Sequence, residues 1–396
     1  MTALIAAMNN RAVAMAADSA ITINSSSSHK VLNSANKLFQ LSPNHSVGIM
    51  ICGNASYLGL PWEIIIKEYG KQLGNKPFFN LQEYRNDFLR FLLKNNHFCS
   101  KSHQIKYLID EITRLHKYLL PNPMPSDTDE IKKFFIERAD NILNDAADSI
   151  EGLLGYSFDE FFKEFGKDLT AHCSTLWLTK HFPDLKEKLL KCFHKFIIRN
   201  NSLLNVSESQ IVFAGYGSYE IRPSLSSISI WFGFGSHIRY DKHIEQSVTE
   251  DHDAAISRYA QTDIINTFIN GINPKLRNSI EDNIPGILAK ILDQLAATFT
   301  EKDIQDKIKG FDVSRVKQLF NDLIDRKSRE QFSNPLISTI GDLDTSDLIS
   351  FVESLISLTG LHRRMSGMEE GVGGPVDVAI ITKSDGFTWV KHKSLY

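Results

Sequence analysis

"AVAMAADSAITI", residues 12–23, decides the reading of this chain. It is an apolar, alanine-rich strand that stops on a lone carboxylate, Asp18, before Ser19 and a second run of small and β-branched residues. An Asp-Ser pair at a strand end commonly initiates a turn. The preceding stretch, "TALIAAM", is also a strand, and Asn9, Asn10 and Arg11 between them supply the turn chemistry of a β-hairpin. A two-residue loop at Asn9-Asn10 pairs Met8 with Arg11 and sets Thr2 opposite Ala17; a three-residue loop pairs Met8 with Ala12 and sets Thr2 opposite Asp18. In both registers Asp18 comes within side-chain reach of the second residue of the chain.

The rest of the chain frames that hairpin. The 396 residues suffice for two or three average domains, or for one domain with large insertions. Composition is that of a globular protein, 42% hydrophobic and 23% charged. The 44 basic against 47 acidic residues leave a net charge of -3, which offers no electrostatic footprint for nucleic acid. Cys52, Cys99, Cys173 and Cys192 form no C-x-x-C pair and read as buried, reduced thiols of a cytoplasmic protein. "MTALIAAMNNR" has no basic leader, and its apolar run is too short for a signal peptide or a membrane span. No cofactor or metal is expected: His97, His103, His116, His172 and His194 do not repeat at ligand spacing. "GYG" at 215–217 and "GFG" at 233–235 sit among strand residues and make no phosphate loop.

Strand character continues through "NKLFQL" and "SVGIMIC", with "SSSSHKVLNSA" read as a loop before them. Helices follow in "LPWEIIIKEYGKQL" and "LQEYRNDFLRFLLKNN". Residues 99–205 read as a helical insertion, 206–272 as strands and a helix from Tyr259, 273–344 as a second helical insertion, and 345–396 as a closing helix and hairpin. The aromatic run "FDEFFKEFGKDL" reads as packing within the first insertion. Strands and helices in this order, with both insertions set aside, fit a layered α/β/β/α sandwich better than a doubly wound parallel sheet.

The chemistry expected at the hairpin follows from residue types. Removal of Met1 before a small second residue leaves Thr2 as an N-terminus that carries a hydroxyl nucleophile and its own base. The α-amino group has an ordinary pKa of about 7.7–8.0 and can accept the Thr2 Oγ proton near neutrality. Lys37 interrupts an apolar strand just before Leu38 and Phe39, with Lys30 as a weaker competitor. A cation there lowers the amine pKa, and Asp18 would hold the lysine charged and oriented.

These residues resemble a known family. "T-x13-AADSA", then "NKLFQLSP", then "GIMICGNA" is similar to β-type proteasome subunits and the bacterial proteasome-like peptidases, which are N-terminal nucleophile (Ntn) hydrolases. Still more similar are uncharacterised bacterial proteasome-like proteins with "SANKLF", "PWE" and "GGPxDVAxITKxDGF" segments. The resemblance covers about 215 residues, 1–98, 206–272 and 345–396. It implies an α+β, four-layer α/β/β/α Ntn-hydrolase sandwich whose core parts are 1–98, 206–272 and 345–396. It implies a threonine-type peptidase or amidohydrolase with Thr2 as nucleophile, Asp18 and Lys37 beside it and Gly53, or Cys52 one step away, as oxyanion donor. The family's acidic-x-x-Ser-Gly-Gly segment matches "EEGVGGP", so its aspartate becomes Glu369 or Glu370 and its serine becomes Val372. A second serine falls near Gln261 and Thr262, where Thr262 could supply the hydroxyl. Implied partners are copies of the chain in a ring or dimer, an ATP-dependent unfoldase, and a peptide or amide substrate. Two alternatives remain open: a small-molecule amidase or acylase of the same fold, and a non-catalytic assembly or sensor protein.

Overall fold

A computed structural model describes residues 2–25, 28–95, 98, 100–146, 149–199, 208–366 and 372–393. Strands come first: β1 Ala3–Asn9, β2 Ala12–Ala17, β3 Ile21–Ser25, β4 Ser28–Leu32, β5 Leu38–Gln40, β6 Val47–Gly53, β7 Ser56–Tyr57 and β8 Leu60–Pro61. Helices α1 Trp62–Leu73, α2 Leu81–Lys94, α3 Lys101–Leu119, α4 Thr128–Asn144, α5 Phe158–Cys173, α6 Trp177–His181 and α7 Lys186–Ile197 follow. Then come β9 Ser209–Gly215, β10 Ser224–Phe234, β11 His237–Ser247 and β12 Ala254–Ala260. The chain closes with α8 Asp263–Asn270, α9 Pro274–Ala296, α10 Lys302–Lys309, α11 Ser314–Ser328, α12 Asn334–Asp342, α13 Thr345–Met365, β13 Asp377–Thr382 and β14 Gly386–Lys391. This is a mixed α/β chain with antiparallel sheets.

It divides into two compact units. The first joins residues 1–37 to 247–396, and the second is Leu38–Gln246. In the first unit the strands run β12-β1-β2-β13-β14, all antiparallel. Alternation along β1 and β2 puts Ala3, Ile5, Ala7, Ala12, Ala14 and Ala16 on one face, packed against Ile265, Leu348, Val352 and Ile356 of α8 and α13. Five of those six sheet positions are alanine, which lets the helices approach the strands closely. In the second unit the order is β11-β10-β9-β6-β5. Trp62, Ile65, Ile66 and Tyr69 of α1 and Phe88 of α2 pack on Ile49, Ile51, Phe213 and Ile228. The helices of the first insertion build a core of their own around Phe135, Phe161, Phe165 and Phe193, reached by Trp231, Phe232 and Phe234 at the end of β10.

The hairpin register differs from both expected ones. Met8 pairs with Val13 and Leu4 with Ala17, so the loop is Asn10-Arg11 and Asp18 lies opposite Ala3 rather than Thr2. The cause is the fully buried Asn9 side chain. Its Oδ1 accepts from the amides of Arg11 and Ala12, and its Nδ2 donates to the carbonyls of Ile340 and Leu343 at 2.9 Å each. Asn9 therefore stays in the ladder as a clasp on the end of α12 instead of serving as a turn residue. Two further expectations are corrected. "SSSSHKVLNSA" is no simple loop, because Ser28–Leu32 pairs with Ile21–Ser25 as a second hairpin. Tyr259 lies within strand β12, whose pairing with β1 outweighs its polar residues, and the helix begins at Asp263.

Cys52, Cys173 and Cys192 are buried thiols, and burial pushes the Cys173 thiol up to about 11 and the Cys192 thiol up to about 12; Cys99 lies outside the described residues. His97 does too. The His172 Nε2 bonds Thr113 Oγ1 at 2.8 Å, and His194 Nε2 bonds the Tyr156 carbonyl at 3.1 Å. No described helix is long and apolar enough to cross a membrane.

Two tests follow from this packing. Asn9→Ala removes four hydrogen bonds, while the Ile340 carbonyl still accepts from the Leu343 amide and the Leu343 carbonyl from Arg11 Nη1, so unfolding in urea is expected to show a loss of about 1–3 kcal/mol. Burial, then repulsion from His172 and Lys117, lowers the pKa of His116, whose Nε2 accepts from the Leu178 amide. The unfolded chain thus takes up a proton before the folded one. The contribution of His116 is complete above its ordinary value of about 6.5 and is lost as pH falls below it. The wild-type protein is expected to lose stability more steeply than His116→Gln between about pH 7 and about pH 5.

Candidate functional site

The first unit gathers buried polar groups around the start of β1. Asp18 follows β2, where the ladder has run out, and its carboxylate is 1% exposed. Its Oδ1 accepts from the Ala3 amide at 2.9 Å and from Lys37 Nζ at 2.7 Å. Its Oδ2 accepts from the Ala20 amide at 3.1 Å and the Gly373 amide at 3.2 Å. A carboxylate offers about four lone-pair sites, so four donors saturate it. Asp18 is thereby an orienting anion and not a base free to take a proton.

Lys37 is 5% exposed and comes from the segment between β4 and β5. Both charges are out of water, and each needs the other. Because one oxygen holds both the Lys37 ammonium and the Ala3 amide, the cation stands no farther from the amide following Thr2 than those two contacts end to end. Lys37 is a lysine on Asp18, and the side chain of Lys30 lies outside the described ones.

Thr2 itself is buried, at 9% exposure, and its carbonyl accepts from the Gln261 amide at 2.9 Å. Gln261 is turned onto Thr2 by Ala260, which pairs with Ala3 and holds φ at 64°, a left-handed conformation that costs a non-glycine residue about 1–2 kcal/mol. Thr262 takes the N-cap position of α8, and its Oγ1 accepts from Asn266 Nδ2 at 3.1 Å. Thus the amide of Gln261, and not the hydroxyl of Thr262, is bonded to Thr2 in this structure.

Val372 is buried in the apolar layer under α13 while the next residue, Gly373, gives its amide to Asp18 and its carbonyl to the Ser19 amide. Ser19 Oγ in turn donates to the Pro375 carbonyl at 2.7 Å. A cavity of about 390 Å³ is lined by Asp18, Asn33, Arg364, Val372, Gly373 and Gly374; Thr2 does not line it. Glu369, Glu370 and Met1 lie outside the described residues. Gly53 and Cys52 belong to the other unit. Gly53 ends β6 with φ 81°, and a Cβ there would meet the Glu208 carbonyl oxygen at 2.3 Å, so local geometry alone demands glycine.

Residue-type reasoning found Asp18 and Lys37 but not the amides of Ala20, Gly373 and Gln261. Backbone donors carry no residue-type signal; only the glycine at 373 hinted at one. Removing one member of the buried pair strands the other charge, so Lys37→Met is expected to cost about 3–5 kcal/mol in urea unfolding. A loss under about 1 kcal/mol, the scale of a solvated surface pair, contradicts this account.

No protein-family model matches the sequence, and no curated protein matches it. Among solved structures, the chain is similar to the Gly-1 mutant of Anbu from Hyphomicrobium sp. strain MC1, at 11% identity, over 99% of this chain and 86% of that one, with a TM-score of 0.30. A likeness this low carries no argument, and the functional reading rests on the residues.

Proposed function

We propose that this chain is a threonine-type Ntn hydrolase that cleaves amide bonds, peptide bonds first among them, once Met1 is removed. The observation that carries the reading is the shared Asp18 oxygen, which binds both the amide directly after Thr2 and the Lys37 ammonium. A buried cation beside a free N-terminus disfavours the protonated amine, leaving it able to take the Thr2 Oγ proton. Thr2 Oγ then attacks the carbonyl carbon, and an acyl ester forms as the amine passes its proton to the leaving nitrogen. Water cleaves the ester and restores the hydroxyl. With Asp18 saturated by donors, the α-amine is the base that this chemistry requires.

The oxyanion donor is assigned to the Gly53 amide, a contact of the kind that contributes about 3 kcal/mol to the transition state. Glu369 and Thr262 are assigned supporting roles near the amine. The proposal includes the four-layer sandwich with inserted helices at 99–205 and 273–344, self-association into a ring or dimer, a cytoplasmic setting and an ATP-dependent unfoldase as partner.

One observation favours a second reading. Val372 fills with apolar side chain the place where the resemblance calls for a hydroxyl, which suits a non-catalytic assembly or sensor protein that keeps the Asp18 cluster for stability. The two separate cleanly. Mass spectrometry of the purified protein is expected to show Met1 absent, and an electrophilic threonine-protease probe is expected to label Thr2. Thr2→Ala should lose labelling and hydrolysis at unchanged stability, and Thr2→Ser should keep part of both. Retained Met1, or a processed and folded protein that takes up no probe, decides for the scaffold.

A further inference from the structure

The second unit holds a feature that the hydrolase reading does not use. Strands β7 and β8 pair Ser56 with Pro61 and Tyr57 with Leu60, leaving Leu58-Gly59 as a two-residue turn. Both turn residues have positive φ, 50° for Leu58 and 89° for Gly59. Such a turn favours Asn-Gly or Asp-Gly, and a leucine there is strained. Local rules broken in this way cluster at functional positions.

What the strained leucine does is visible around it. Leu58 packs against the cores of both the sheet and the first insertion, and it lines a cavity of about 510 Å³. That volume suits a small molecule, for which sites run roughly 300–1,000 Å³. Phe98, Tyr107 and Trp231 add aromatic wall, with Phe98 and Trp231 buried. Lys106 and Asp110 of α3 stand over it, four residues apart and so one turn above each other on the same helix face. Among the described residues no ion pair joins them, and a lysine N-terminal to its acid is the less favourable helical order. Two opposite charges therefore face one aromatic cavity, close together and uncommitted to each other.

We infer that this cavity binds a free α-amino acid with an apolar or aromatic side chain. Its carboxylate meets Lys106, its ammonium meets Asp110, and its side chain lies against Leu58, Phe98, Tyr107 and Trp231. An anion alone would face Asp110 as well as Lys106, and a cation the reverse. A zwitterion on a single carbon satisfies both.

The test is calorimetric titration of the full chain with L-phenylalanine, phenylpropionate and phenethylamine, which share the ring and differ in charge. L-Phenylalanine is expected to bind saturably, and each analogue about two- to fivefold more weakly, the scale of one partly exposed charge contact. Lys106→Met should erase the preference over phenethylamine, and Asp110→Asn the preference over phenylpropionate. Leu58→Asn, which removes apolar wall from the cavity, should weaken L-phenylalanine binding, and Leu58→Met, which keeps the apolar bulk, should restore most of it. Thr2→Ala should bind as the wild type does, so failure here and failure of the hydrolase reading are distinguishable. No saturable binding, phenylpropionate binding equal to L-phenylalanine, or unchanged binding by Lys106→Met and Asp110→Asn overturns the inference. A phenylalanine dipeptide binding as tightly as the amino acid overturns the assignment to a free amino acid.

Discussion

The first unit depends on the carboxylate of Asp18. It is buried, and a buried anion persists only where donors and an opposite charge replace the water it has lost. The replacements come from four places in the chain: the start of β1, the residue two beyond Asp18, the lysine before β5, and the glycine before β13. The position of Thr2 follows from this arrangement, since Ala3 is held by Asp18 and the Thr2 carbonyl by Gln261.

The same arrangement divides chemical labour. A carboxylate with every lone pair engaged keeps its place and its charge, and does little else. The reaction proposed at Thr2 must then find its base elsewhere, which separates the proposed site from triads in which an aspartate orients a histidine base. The loop that gives the Gly373 amide does so with an apolar neighbour, Val372, in the layer beneath. Support of the anion and the presence of a hydroxyl are thus independent properties of this loop.

Much of this was legible in the sequence, for identifiable reasons. Apolar runs bounded by one charge mark Asp18 and Lys37, because charges at the ends of buried strands need partners. The strands β1, β2, β6 and β13 are apolar enough to be recognised from composition alone. The register was not legible, since it turns on Asn9 bonding carbonyls more than three hundred residues away. Strand β4 hides its pairing with β3 because its sequence, "SHKVL", lacks the alternation of a half-buried strand. In β12, "AAISRYA" is strand only because β1 lies beside it. The amide donors, being backbone, belong to the fold and not to any residue type.

The division of the chain has a consequence for its synthesis. The unit that carries Asp18 is assembled from the first 37 residues and from those after 246, whereas the other unit is continuous. A ribosome releases the continuous unit first, so it can fold while the N-terminal hairpin still waits for its later partners. The Gly373 donor stands 355 residues from Asp18, so the carboxylate keeps a water molecule in that donor's place until translation is nearly finished. The surroundings of Thr2, near the start of the chain, are in this way among the last parts of the fold to be completed.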